Sequence, residues 1–389
     1  MLGKINEIRD CKNAGAHYTK YAWVTVIFNG HSYMPGTLVT AQSLRDVGTK
    51  YDIVCMVDDS ISDEALDALC TVYDRIFKVK LIKTNTAVYL TKKQQGLYGS
   101  WIDVSCTKWA ALYLTCYDKV ILTDTDVVAL KNADELFELN APAAEFNNLW
   151  AQPFRRDGLF NPYVTKKQFK LGEGLKHGDK VPPDVWKTIT QRFIEHNKHA
   201  RSKRITFAPG GFLVLLKPSA KDADDYISWL TSHDSYPQKE TFSSGVDEVS
   251  LFEFYTNVKN QAWYNIHENY SLIPWGKPNV DKSEVYMYHY MGKKPWTMKR
   301  GEWPDLADWY SVADRLTVMH PKLRTWFNGA DSQVITGGGD IRGIHATNLC
   351  EYAILFAIFI LVLAVVIYCC EKLLRDTGVD KGRPTLTRG

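Results

Sequence analysis

Apolar and polar positions in the first third of the chain alternate between two rhythms. "AWVTVIF" at 22–28, "YDIVCMV" at 51–57 and "RIFKVKLI" at 75–82 are short apolar-rich runs, which predicts buried strands. Between them lie "PGTLVTAQSLRDVG" and "SDEALDALCTVY", which carry helix punctuation. Pro35 stands near the start of the first and Gly48 at its end, while Asp63 and Glu64 occupy the first turn of the second. The pattern over 104–114 predicts another helix, delivering the chain into the strand "KVILTDTD". Strand and helix in this order predict an α/β, doubly wound sheet, whose ligands bind beyond the carboxyl ends of the strands. Asn29, Asp58 and the acids of "TDTD" all fall at such ends.

Those acids are the first sign of chemistry. In "YDKVILTDTDVVAL", Asp124 and Asp126 sit one residue apart between two apolar runs. In an extended chain they would point to the same side, with Thr125 facing away. Two close carboxylates repel unless a cation or a shared proton offsets them, and hard oxygen ligands suit Mg²⁺ or Mn²⁺. The residues alone leave a second reading open, in which the strand stops at Thr123 and the acids form a solvated turn.

Composition narrows the class. A net charge of +3 over 389 residues gives no basic excess to recruit nucleic acid. Cys55, Cys70, Cys106 and Cys116 lie within apolar or helical patterns, and Cys369 and Cys370 are adjacent in a hydrophobic run. This predicts buried free thiols and a reducing compartment. No CxxC pair points to zinc. The first twenty residues hold no apolar core of leader length. The uncharged "YAILFAIFILVLAVVIYCC" at 352–370 is about as long as the roughly 20 residues that cross a bilayer. It predicts a single-pass transmembrane helix over 351–371, a membrane as partner, a short basic tail over 372–389 and a cytosolic catalytic domain.

Three longer stretches carry a resemblance: "AWVTVIFNGHSYMPGTLVTAQSLRDVGT", "CTKWAALYLTCYDKVILTDTDVVALKNADELFEL" and "YHYMGKKPW". In order and spacing they resemble the glycogenin-type glycosyltransferases, family eight of the retaining enzymes. The likeness is greatest to the glycogenin-like proteins of baculoviruses and other large DNA viruses. It covers about 21–310, leaving 1–20 as an extension and 311–350 as a helix and tether. The resemblance implies a GT-A fold, a Rossmann-like domain on a doubly wound mixed sheet. It also implies a UDP-sugar donor, with glucose or galactose as the hexose, and Mn²⁺ with Mg²⁺ as the alternative. Asp124, Asp126 and His289 match the family's metal ligands.

Asn29 and Tyr33 match positions holding the uridine end, Lys108 a helix lysine near the donor, and Gly292 and Lys294 a turn that approaches the phosphates. One residue is missing from that turn relative to glycogenin, so Lys293 competes for the role of Lys294. Thr125, Gly211 and, on a looser alignment, Asn269 join the donor-binding set. "SSGVDEVSLF" matches the segment facing the sugar, which makes Asp247 and Glu248 the catalytic pair, although Glu248 stands where the family has Gln. On the residues alone, both acids could simply cap the helix that follows. "FAPGG" is a second departure, because Pro209 replaces an Asn that touches the donor sugar.

A long insertion before "FAPGG" predicts a lid or acceptor-facing loop, and His177 within it reads as a surface histidine. Trp296, Trp303, Trp309 and Tyr310 read as core. The acceptor is a hydroxyl on a protein, glucan, lipid or polyol, and a homodimer is left open. The alternative function is a membrane-anchored nucleotide-sugar-binding or scaffolding protein with a decayed site. A metal-dependent phosphohydrolase would use the same acids but leaves the Asn29 loop and "GKKPW" without a purpose.

Overall fold

A computed structural model describes residues 5–15, 17–85, 99–146, 175–184, 210–232, 246–274 and 280–327. The chain separates into two units, Met1–Asp331 and Ser332–Gly389, and the described residues belong to the first.

The sheet opens with β1 (Asn6–Asp10), β2 (Tyr21–Ile27), β3 (Asp52–Val57), β4 (Arg75–Lys78) and β5 (Lys119–Thr123). After β5 the chain leaves the sheet to form β6 (Val127–Ala129). It returns as β7 (Ala143–Glu145), β8 (Lys180–Val181), β9 (Gly210–Leu216) and β10 (Trp263–Ile266). A last strand, β11 (Met287–His289), pairs with β6 in a separate two-stranded ribbon. The sheet order is β1-β4-β3-β2-β5-β9-β7-β10-β8. From β4 to β5 the strands run parallel, whereas β9 is antiparallel to both neighbours, so the sheet is mixed.

Two faces are covered because strand residues alternate. Ala22 and Val24 point into the cluster containing Trp109, Leu122 and Val214. Trp23, between them, points the other way, giving its indole N–H to Asp134 at 3.0 Å and its ring edge to Phe137. One layer holds α1 (Met34–Asp46), which packs on β6. The other is the 3-10 helix Ile102–Tyr113, against which α3 (Ala220–Thr231) and α4 (Val246–Glu253) pack. The helix α2 (Asp63–Leu69) begins where the sequence predicts: Ser62 accepts the Ala65 N–H at 3.3 Å, with Asp63 and Glu64 in the positive first turn. Fully buried rings such as Trp23 and Trp109 each contribute roughly 1.5–3 kcal/mol of transfer free energy.

Two expectations are corrected. The membrane anchor is the first. Among the described residues no helix is long and apolar enough to cross a membrane. The longest α-helix among the described residues, α5 (Leu306–Met319, 14 residues), is amphipathic and rises about 21 Å, short of a hydrocarbon core of about 30 Å. The expected single-pass location, membrane partner and anchored fold class are thus not supported by any described helix, and 351–371 lies outside the described residues. The second correction concerns thiols. Cys11 and Cys70 form a disulfide, because β1 pairs with β4 and the Cys11 N–H reaches Asp74, which sets the strand's end beside the end of α2. Cys55 and Cys106 are buried free thiols, their pKa values pushed up to about 12 by burial, and Cys116 is free and exposed.

Candidate metal and donor site

Where β5 stops at Thr123, the chain turns through 124–126 and re-enters extended structure as β6. The acids do occupy a turn, in which Asp126 is buried at 4% exposed and Asp124 half-buried. The Asp124 N–H donates to Phe212 O at 3.2 Å, and Asp126 O accepts the Tyr290 N–H at 2.9 Å. Since β11 pairs His289 with Val127, the imidazole arrives beside both carboxylates. One ligand atom from each of Asp124, Asp126 and His289 lies within 4.8 Å of the others, a set able to hold a metal ion. His289 Nε2 is 3.4 Å from Asp126 Oδ1. Among the described residues, Asp126 Oδ1 and His289 Nδ1 are buried without a hydrogen-bond partner. Such orphaned atoms are costly unless something else satisfies them.

Two lysines flank the cluster. Lys108, on the 3-10 helix, is 3.5 Å from Asp124 Oδ1, donates to Gly211 O at 3.1 Å and pairs with Asp247. Lys294 pairs with Asp126 and lies 5.9 Å from the Tyr33 ring centroid. Burial penalises Asp126's charge, yet Lys294 and His289 hold its carboxyl far below the usual range. Burial raises Asp124 in spite of Lys108, with Asp126 adding to the rise. The opposed shifts follow from one ammonium sitting in direct contact and the other shared among several oxygens.

Asp247 and Glu248 stand in the first turn of α4, as helix-capping chemistry also places them. Their surroundings are not those of a solvated cap. Asp247 is 7% exposed, ion-paired to Lys108, and its carbonyl accepts the Trp109 indole N–H at 2.8 Å. Glu248 packs against Gly211, and burial together with Asp247 pushes its pKa up to about 8.

At the rim, the Asn29 N–H donates to Asp58 at 3.4 Å and its amide to Ser100 O at 3.3 Å. Tyr33, 37% exposed, meets the Trp296 ring edge-on at 5.4 Å. Through Tyr33 the N-terminal loop thus touches the turn containing Gly292 and Lys294, while Lys293 is exposed. Thr125 is buried at the turn. Asn269 stands apart. Its carbonyl accepts the Tyr286 N–H at 2.8 Å, three residues before His289, on the order of 10 Å away along an extended chain. His177 accepts the His267 N–H and stacks on Tyr270, outside the metal cluster. Trp296, Trp309 and Tyr310 are buried. Pro209 and most of the insertion lie outside the described residues.

Sequence reasoning missed Phe212, whose ring lies 4.2 Å from that of His289. An aromatic two residues into the strand after Gly210-Gly211 gives no local hint of its partner.

The chain is similar in sequence to several known proteins. Residues 24–162, less than half of the chain, match a family described as "Mannosyltransferase putative". An uncharacterised protein of Acanthamoeba polyphaga mimivirus is 28% identical over 284 residues, covering 68% of this chain and 86% of that protein. UDP-glucuronate:xylan alpha-glucuronosyltransferase 2 of Arabidopsis thaliana is 34% identical over 129 residues, 33% of this chain and 20% of that enzyme. Human Glycogenin-2 is 28% identical over 168 residues, 43% of this chain and 32% of that protein. The chain spans about a fifth and a third of these last two. Its fold is GT-A-like and related to those of glycogenins and glucuronosyltransferases.

Proposed function

We propose that this chain is a metal-dependent retaining glycosyltransferase of the glycogenin-like kind, moving a hexose from a UDP-sugar to a hydroxyl acceptor. The observation that carries the reading is the convergence of Asp124, Asp126 and His289, with a carboxylate oxygen and an imidazole nitrogen left orphaned in a buried site. Sequence likeness to several sugar transferases supports it.

The donor set suits a divalent cation. Two carboxylates and one imidazole are acceptable to Mn²⁺ and, with less preference for nitrogen, to Mg²⁺. When bound, such an ion supplies Lewis-acid stabilisation of charge on a departing diphosphate. The chain's own residues do the rest. Lys108 fixes the Asp247 carboxylate against the same wall as Asp124. Burial and the neighbouring Asp247 push the Glu248 pKa up, and in its protonated form the side chain would offer one donor and one acceptor, the hydrogen-bonding pattern of the amide it replaces. Asn29 and Tyr33 form the rim that receives the nucleoside, and Lys294 brings positive charge to the diphosphate. The acceptor belongs to the class of protein, glucan, lipid or polyol hydroxyls.

The test is direct. The full chain is incubated with Mn²⁺ and a panel of UDP-glucose, UDP-galactose, UDP-glucuronate and GDP-mannose, and nucleoside diphosphate release is followed beside Asp126→Ala. Release from one donor, lost on chelation and in the variant, is expected. Metal-dependent binding without any turnover would favour the donor-binding reading, and turnover indifferent to chelation would overturn the mechanism.

A further inference from the structure

The two lysines that neutralise the acidic pair are held in opposite ways. Lys108 is locked: its side chain is 7% exposed, and its ammonium is shared among Asp124, Asp247 and Gly211 O with the Trp109 ring 5.1 Å away. Lys294 has one close partner, Asp126, and a distant ring. It follows three exposed residues, Met291, Gly292 and Lys293. Gly292 sits at φ +84°, with nothing within 4 Å of where a Cβ would lie. That is a backbone position at which the chain can redirect a lysine without meeting a neighbour.

The ammonium on Asp126 Oδ2 leaves Oδ1 with only the 3.4 Å approach of His289 Nε2, and His289 Nδ1 with no hydrogen-bond partner among the described residues. It balances part of the charge of a site built for more. A cation bound by both aspartates would compete with Lys294 for Asp126, and a phosphate oxygen of the incoming nucleotide is an acceptor suited to the displaced ammonium.

We propose that Lys294 is the resident counter-ion of Asp126 in the metal-free protein and that it exchanges from Asp126 to the nucleotide diphosphate when a divalent cation binds. This rests on the metal site proposed above. Its consequence is coupling: the cation frees the lysine that the diphosphate needs, and the diphosphate removes the cation's competitor, so each tightens the other's binding reciprocally.

The experiment measures Mn²⁺ affinity by titration calorimetry, without and with UDP, in the full chain and in Lys294→Met, Lys294→Arg, Lys293→Met and Asp126→Ala. With Mn²⁺ alone, Lys294→Met should bind about tenfold tighter, the size of one removed close ion pair. Lys294→Arg and the exposed Lys293→Met should stay within about twofold of the parent. UDP should strengthen Mn²⁺ binding in the parent and do so far less in Lys294→Met. Unchanged or weaker Mn²⁺ binding by Lys294→Met, with binding abolished in Asp126→Ala, overturns the exchange and leaves the metal site standing. Equal tightening by Lys293→Met also overturns it, since the effect would then be one of general charge. No Mn²⁺ binding by the parent, or none lost in Asp126→Ala, overturns the metal reading itself.

Discussion

Glu248 fills the space that a side chain on Gly211 would need: a Cβ built there would come within 1.8 Å of Glu248 Cγ. The strand that supplies a carbonyl to Lys108 is therefore pressed against the helix that carries the proposed catalytic acids.

Gly211→Ala is expected to destabilise the fold by about 1–3 kcal/mol, the usual cost of overpacking, and to lower transferase activity by displacing Glu248. Urea denaturation gives the first quantity and diphosphate release the second. Glu248→Ala in the same chain should recover most of the lost stability, because neighbours sharing one space are not additive. No recovery would place the clash elsewhere.

The raised Glu248 pKa has a defined sign. Its model-compound value is 4.5, and in the fold it is pushed up to about 8 by burial and Asp247. Between those values the folded chain holds a proton that the unfolded chain releases, so stability falls as pH rises through this window and levels above it. Glu248→Gln keeps a neutral side chain of similar shape and should flatten the slope. Denaturation midpoints of chelator-treated protein at about pH 5 and about pH 8 decide it. Parallel profiles for parent and variant would show that Glu248 is not the group responsible.

Phe212→Ala removes the ring that fixes the His289 imidazole while leaving all three ligands in place. Supporting residues around metal ligands typically cost about 10–100-fold in affinity when removed. A Mn²⁺ titration should show a loss of that size, and an unaltered affinity would mean that the ring only fills space.

Cys70→Ser opens a link between residues 59 apart in sequence. For a loop of that length the entropic model gives about 4 kcal/mol. The variant should match the parent under dithiothreitol and fall below it without. Equal stability in all three conditions would argue that the two sulfurs are not joined in the protein in solution.

How much of this was legible in the sequence depends on distance along the chain. The run from Tyr21 to Asp126 declares itself, because strand and helix periods, Ser62 as a cap and the acids at a strand end are all local signals. His289 was reachable only through the motif around it, since nothing in "YHYMG" says that this strand will lie beside Val127. The Cys11–Cys70 pair and the contact of Phe212 with His289 have no local signal at all. Both follow from which strands become neighbours. Asn269 had only a loose motif match, and the segment that holds it runs beside the strand of His289 through Leu272, whose carbonyl accepts the His289 N–H. The 352–370 stretch was read from hydropathy alone, and the described helices are all shorter and more polar than a span requires.

The ribbon of β6 and β11 joins Asp126 to a histidine 163 positions later, by 289 minus 126. A chain still emerging from the ribosome lacks the third ligand until nearly all of the described fold has been synthesised. If the proposed metal site holds, a chain stopped short of His289 keeps both aspartates but lacks the imidazole, and its affinity for a divalent ion would fall accordingly.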